Sequence, residues 1–326
     1  MPCTYPGNPS LYGLGLRTAF YLLWSGTLIA GWITRPEVPT LRFVHTLFIA
    51  AALLSITILA SWNSVFPIDV YITVLLAYGS FYALVPYYLW RAVTVCNPFT
   101  DMGRWPRVRS TAVMRVVGLL LVVAGACFQI WFWSTGLHSL PRERDCQTWG
   151  FFFSRAKLDA PVFVAANMVF IILILLGATM ALMAELGMMG LPWWMAKREK
   201  SFRKMVKRAE QRGEEYSWKR ELQFAQGVSD LAVFSVLVIA IELTVQWNDL
   251  TAVNDLAEPA QMIPMVLAAG LFAHIGYVWV NPYHNIEILE DLAEDLPEPS
   301  TSSSGSRSRR NRSRGSGPDI AVVVGP

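Results

Sequence analysis

Apolar residues run along this chain in seven long blocks separated by polar, charge-bearing connectors. A bilayer core about 30 Å thick takes roughly 20 mostly apolar residues per helix. Seven windows meet that demand: 11–34, 41–61, 65–89, 112–133, 162–190, 227–245 and 261–280. The pattern predicts an all-α membrane protein, with seven transmembrane helices forming one domain over 11–280. Windows three and seven contain Pro86 and Pro264, which packed neighbours accommodate by re-satisfying the freed carbonyls. Trp32, Trp62, Trp90, Trp131, Trp133, Trp247 and Trp279 fall at window ends, where an indole can be half wet. No internal repeat is visible, so an inverted-repeat transporter gets no support.

Residues 1–10 carry neither a basic region nor a small-residue cleavage site. They read as an extracytosolic segment leading into an uncleaved first anchor. After the seventh window, Ile286, Leu289, Leu292 and Leu296 recur at helical spacing, predicting a short amphipathic cytosolic helix over 281–296. The acidic opposite face of that helix would be repelled by anionic cytosolic lipids. Residues 297–326 are rich in Ser, Arg, Gly and Pro and read as a disordered tail.

Composition narrows the class. The chain is 54% hydrophobic and 16% charged, against about 25% charged in an average soluble chain. That excludes an ordinary soluble domain and a disordered chain, and four Cys are too few for a disulfide scaffold. The net charge of +3 is too small to argue for nucleic acid, and no folded basic module accompanies the Arg-rich tail. Sorted by connector, 21 of the 27 Lys and Arg residues fall on one side, in 35–42, 90–111, 191–226 and the tail. Four lie on the other side, in 134–161: Arg142, Arg144, Arg155 and Lys157. Positive residues stay cytosolic, so the N-terminus is expected outside and the C-terminus in the cytosol. Asn311-Arg312-Ser313 matches a glycosylation acceptor but lies on the cytosolic side. It should stay unmodified, and a glycan there would overturn the topology.

Charges inside spans are expensive, so each is a candidate site. Arg17, Asp69, Asn167 and Glu242 fall in the outer halves of windows one, three, five and six, with Gln246 and Asp249 just beyond. Arg17, Asp69, Asn167, Glu242 and Gln246 therefore make a candidate outer polar pocket. The plainer alternative is that Arg17 neutralises one acid structurally, or that these charges snorkel to the interface. Glu242, a full turn inside its window, is the residue least able to do so. His45, Arg115, Glu185, Asp230 and His274 form an inner level. The two histidines read as packed or hydrogen-bonded rather than as ligands.

Cys3 and Cys146 both fall on the outer side and form a candidate disulfide; two free thiols are the alternative. No Cys/His grouping has metal-ligand spacing, so no metal or other cofactor is expected. The 191–226 connector interleaves Trp193, Trp194, Met195, Phe202, Met205 and Val206 with ten basic residues. It could contact anionic lipid or a protein partner, or simply fix orientation by its charge. The chain has no Gly-x-Ser-x-Gly, P-loop or His-Glu-x-x-His motif, and no Lys in the seventh window for a retinal Schiff base. Asn281-Pro282-Tyr283 is not followed by the spacing of rhodopsin-like receptors, so a receptor reading rests on topology alone.

Three stretches carry a resemblance: Gly7 to Arg17 with Tyr21-Leu-Leu-Trp24, Cys146 to Phe153, and Ile241 to Asn248 with Gln261-Met-Ile-Pro264. The chain resembles a group of filamentous-fungal multi-pass membrane proteins. The resemblance implies a membrane protein without an assigned activity. It brings forward Arg17, Cys146, Glu242, Trp247, Asn248, Gln261 and Pro264. Three functions remain open: a non-enzymatic, receptor-like protein, a small-molecule transporter or channel, and a membrane-embedded enzyme on a lipophilic substrate. Plasma membrane and endomembrane are both compatible with the sequence.

Overall fold

A computed structural model describes residues 7–94, 108, 111–141, 147–152, 154–188, 217–250, 252–256 and 259–281, with side chains of the sixth block from Arg220 onward. The Asn8 side chain caps a single turn, α1 (Pro9–Tyr12), by accepting from the Ser10 N–H, and Gly13 breaks it from α2 (Leu14–Ile33). A 3-10 turn (Arg35–Glu37) leads into α3 (Val38–Ser61). Next come α4 (Pro67–Tyr82), α5 (Leu84–Val93) and α6 (Ala112–Trp131), whose end runs through a π turn (Phe132–Gly136) into α7 (Leu137–Ser139). A hairpin of β1 (Trp149–Phe151) and β2 (Arg155–Lys157) precedes α8 (Pro161–Glu185). The last elements are α9 (Ser217–Trp247), a 3-10 turn (Ala252–Asn254) and α10 (Pro259–Val280).

Local chemistry sets these boundaries. Pro9, Pro67, Pro161 and Pro259 open their helices, where the missing N–H costs nothing. Three helices end the same way. Ser64, Met188 and Leu250 donate back to Leu59, Met183 and Val245, while Asn63, Gly187 and Asp249 turn the chain with positive φ. Such an ending satisfies carbonyls the helix leaves open.

Among the described residues, five helices are long and apolar enough to cross a membrane: Arg35–Ser61, Ala112–Ser139, Pro161–Glu185, Arg220–Trp247 and Pro259–Val280. The third window is not one straight span. It breaks into α4 and α5, bent by 45°, and counting that pair as one span makes six. Pro86 is the physical reason, because its ring sits against the carbonyl of residue 82, where α4 ends. The first window, α2, has the length but not the apolarity, since Arg17, Thr18, Ser25, Thr27 and three glycines dilute it. It faces protein: Gly15, Arg17, Phe20, Leu23, Trp24, Gly26 and Ala30 are all buried. The spanning windows of α8 and α10 are only 17% buried, so apolar Leu173, Ile263 and Val266 point away from the bundle. These helices fit a multi-pass membrane protein.

Two further corrections concern connectors. Residues 217–226, expected in the basic connector, are the first turns of α9. The 134–161 connector carries the β-hairpin, with Trp149 opposite Lys157 and Phe151 opposite Arg155, so the fold is helical with one small antiparallel addition. The rest of the basic connector, the amphipathic segment after Asn281, the tail, Cys3, Cys96 and Cys146 lie outside the described residues.

The helices pack through small residues. Contact is most extensive between α2 and α10 and between α6 and α8. A Cβ on Gly15 would stand 2.5 Å from the backbone oxygen of Gln261, and one on Gly125 would overlap the Tyr78 ring. Gly15 lets α2 and α10 close to backbone distance, and Gly125 makes room on α6 for a ring from α4, the usual device where packing rather than water exclusion drives association. Tyr78 uses the room to donate to the Leu121 carbonyl at 2.9 Å.

Candidate functional site

Polar residues gather at one end of the bundle, around the start of α2 and the end of α9. Arg17 is fully buried. Its Nη1 donates to Glu242 Oε2 at 2.6 Å and its Nη2 to Asn254 Oδ1 at 2.6 Å. Tyr21, one helical turn further along α2, donates its hydroxyl to Glu242 Oε1 at 2.9 Å. Both carboxylate oxygens are thus held from α2. A buried guanidinium needs such partners, because an unpaired charge out of water costs several kcal/mol. Arg17 Nε has no hydrogen-bond partner among the described residues.

The other face of Glu242 is open. Its side chain is 44% exposed on a recess of about 330 Å³ lined by Glu242, Val245, Gln246, Asp249, Leu250 and Asn254. Two carboxylates and two amides therefore face one space, with Arg17 behind it. Asp249 has φ 52°, a left-handed conformation that glycine or asparagine adopts more readily. An aspartate at this helix end puts a second carboxylate on the recess.

The expected pocket residues do not all converge. Arg17, Glu242 and Gln246 lie together at the recess. Asp69 serves a neighbouring network. It accepts from the Tyr12 hydroxyl through Oδ1 and from the Phe66 N–H, at 2.9 Å, through Oδ2. It thereby caps the start of α4 and ties α1 to it. Asn167 is elsewhere: α8 packs chiefly along α6, and the Asn167 amide donates back to the Phe163 carbonyl at 2.8 Å. Tyr12, Tyr21 and Asn254 complete the networks, and neither charge nor depth within a window singles them out in the sequence. Two tyrosines in an aromatic-rich chain look like core, and a loop asparagine looks like solvent.

The hairpin is clamped beside the recess. Asn248 Oδ1 accepts from the Trp149 N–H at 2.8 Å, and its Nδ2 donates to the Trp149 and Thr244 carbonyls, each at 2.8 Å. Its amide thus pairs with Trp149 as another strand would. Arg155 lies over the Trp149 ring at 4.1 Å and donates to the Trp247 carbonyl, and Phe151 stacks on Trp247.

The inner-level residues are also paired. Arg115 makes a two-pronged contact with Glu185, at 3.0 and 3.1 Å. His45 Nε2 accepts from Trp24 Nε1 at 2.8 Å, and His274 approaches Glu37 at 3.6 Å. Tyr87 donates to Asp230. Among the described residues no group of three His, Cys, Asp or Glu could hold a metal ion. The chain matches no family model, no curated protein and no solved structure.

Proposed function

We propose that this is a seven-span membrane protein, N-terminus outside and C-terminus cytosolic, that acts as a receptor-like, non-enzymatic binder of small solutes at its outer face. In this reading α2 is the remaining span, its lower apolarity offset by a face, Arg17 included, that is buried against protein. The observation that carries the proposal is Glu242. Arg17 and Tyr21 immobilise its carboxylate, yet the side chain stays half open to a recess it shares with Asp249, Gln246 and Asn254. Arg17 offsets one of the two negative charges, so the recess complements a small organic cation carrying N–H donors. Transport is the second reading.

The test uses purified protein in lipid nanodiscs and a panel of organic amines and ammonium compounds, read by thermal stabilisation and calorimetry. At least one should bind, and Asp249→Asn should weaken it about tenfold or more while leaving the unfolding temperature unchanged or higher, because Asn accepts the left-handed conformation. Binding unaffected by Asp249→Asn would overturn the recess assignment. Uptake of the bound amine into proteoliposomes would move the protein to the transporter class.

A further inference from the structure

A second cavity lies further along α2 and back along α9, and it shares no lining residue with the recess. It measures about 580 Å³, within the ~300–1,000 Å³ usual for small-molecule sites. Its wall is mainly apolar, with Trp24, Ile49, Leu84, Val122, Phe234 and Leu237 contributing from α2, α3, α5, α6 and α9. The Pro86 break creates part of that wall, since α5 leaves α4 at 45° and buries none of its own residues.

Its polar groups specify what kind of head it takes. Arg42 and Asp230 bring opposite charges to the lining, and the remaining lining cation, Arg115, holds Glu185. Among the described lining residues no net charge is left for an ionic head. His45 Nε2 already accepts from Trp24, and Asp230 already accepts from Tyr87. Gln226 differs: it lines the cavity, and its Oε1 is buried without a hydrogen-bond partner among the described residues. A buried amide left unmatched is costly, and a hydroxyl, being donor and acceptor at once, satisfies it in either orientation.

We infer that this cavity binds a neutral, single-chain lipophilic alcohol from the membrane, its hydroxyl on Gln226 and its hydrocarbon body against Val122, Phe234 and Leu237. The site is independent of the recess and stands whether or not the recess binds a cation.

The experiment photolabels the full chain in nanodiscs with a diazirine-bearing hexadecan-1-ol and maps the adducts by mass spectrometry. Adducts should fall on cavity residues such as Val122, Val233 and Leu237 rather than on outward-facing Leu173 or Val266. Unlabelled hexadecan-1-ol should displace the probe about tenfold better than hexadecane, the worth of one well-placed hydrogen bond. Gln226→Leu should keep the labelled positions and lose that preference. Equal displacement by alcohol and hydrocarbon in the wild-type protein would mean that water satisfies Gln226, and would overturn the inference. So would adducts confined to Leu173 and Val266, or a preference that survives Gln226→Leu. The wild-type comparison decides even if the variant fails to fold.

Discussion

Arg17 with Glu242 and Arg115 with Glu185 join helices through the same two functional groups, but in different surroundings. Arg17 is wholly enclosed while Glu242 is partly open; Arg115 and Glu185 are 46% and 33% exposed. In the first pair the arginine depends on its carboxylate, since it has no route to water. In the second, each partner can be solvated or reach lipid headgroups when the other is lost. The comparison shows that a charge inside a predicted span acquires its meaning from enclosure, which charge and depth along the helix do not reveal.

The sharpest way to break this contrast is Glu242→Leu. It leaves the enclosed Arg17 with Asn254 as its remaining partner and should cost about 3 kcal/mol, read as a lowered unfolding temperature in detergent. Adding Arg17→Met should recover most of the loss, because two apolar residues strand no charge. A double variant as unstable as the single one would show that the pair contributes specific attraction beyond mutual neutralisation. Next in size is Asn248→Ala, which leaves the Trp149 N–H without its partner beside the recess and should cost about 2 kcal/mol. Hydrogen exchange at Trp149 should rise while α6 and α8 stay protected; protection unchanged at Trp149 would mean that the stacking of Phe151 on Trp247 suffices to hold the hairpin. The smallest effect should come from Arg115→Ala, under about 1 kcal/mol, as for other exposed pairs. A loss matching that of Glu242→Leu would erase the distinction between the two pairs.

Legibility followed whether a property is periodic or spatial. The apolar windows were readable because lipid-facing residues must be apolar over a fixed length, and α3, α6, α8, α9 and α10 fall on them. The bend after Tyr82 was half readable: Pro86 marks a weak point, but whether neighbours absorb it depends on packing. The hairpin in 149–157 was not readable, since three-residue strands offer too little alternation, and here a side chain from another element, Asn248, pairs with Trp149. At the recess, Arg17, Glu242 and Gln246 were visible as polar residues at similar depth. Asp69 shared that depth and went instead to Tyr12, and Asn167 to its own helix.

By itself the sequence determined that the chain suits a membrane, where its long apolar helices fall, and the short list of charges such an environment makes expensive. Each of these depends on local composition along one chain direction. The tertiary structure alone decided that Arg17 on α2 is enclosed, that it meets Glu242 rather than Asp69, and that Gln226 faces a cavity without a partner among the described residues. Those outcomes depend on how the helices turn about their axes and how closely glycines let them approach, quantities that arise only when the helices pack.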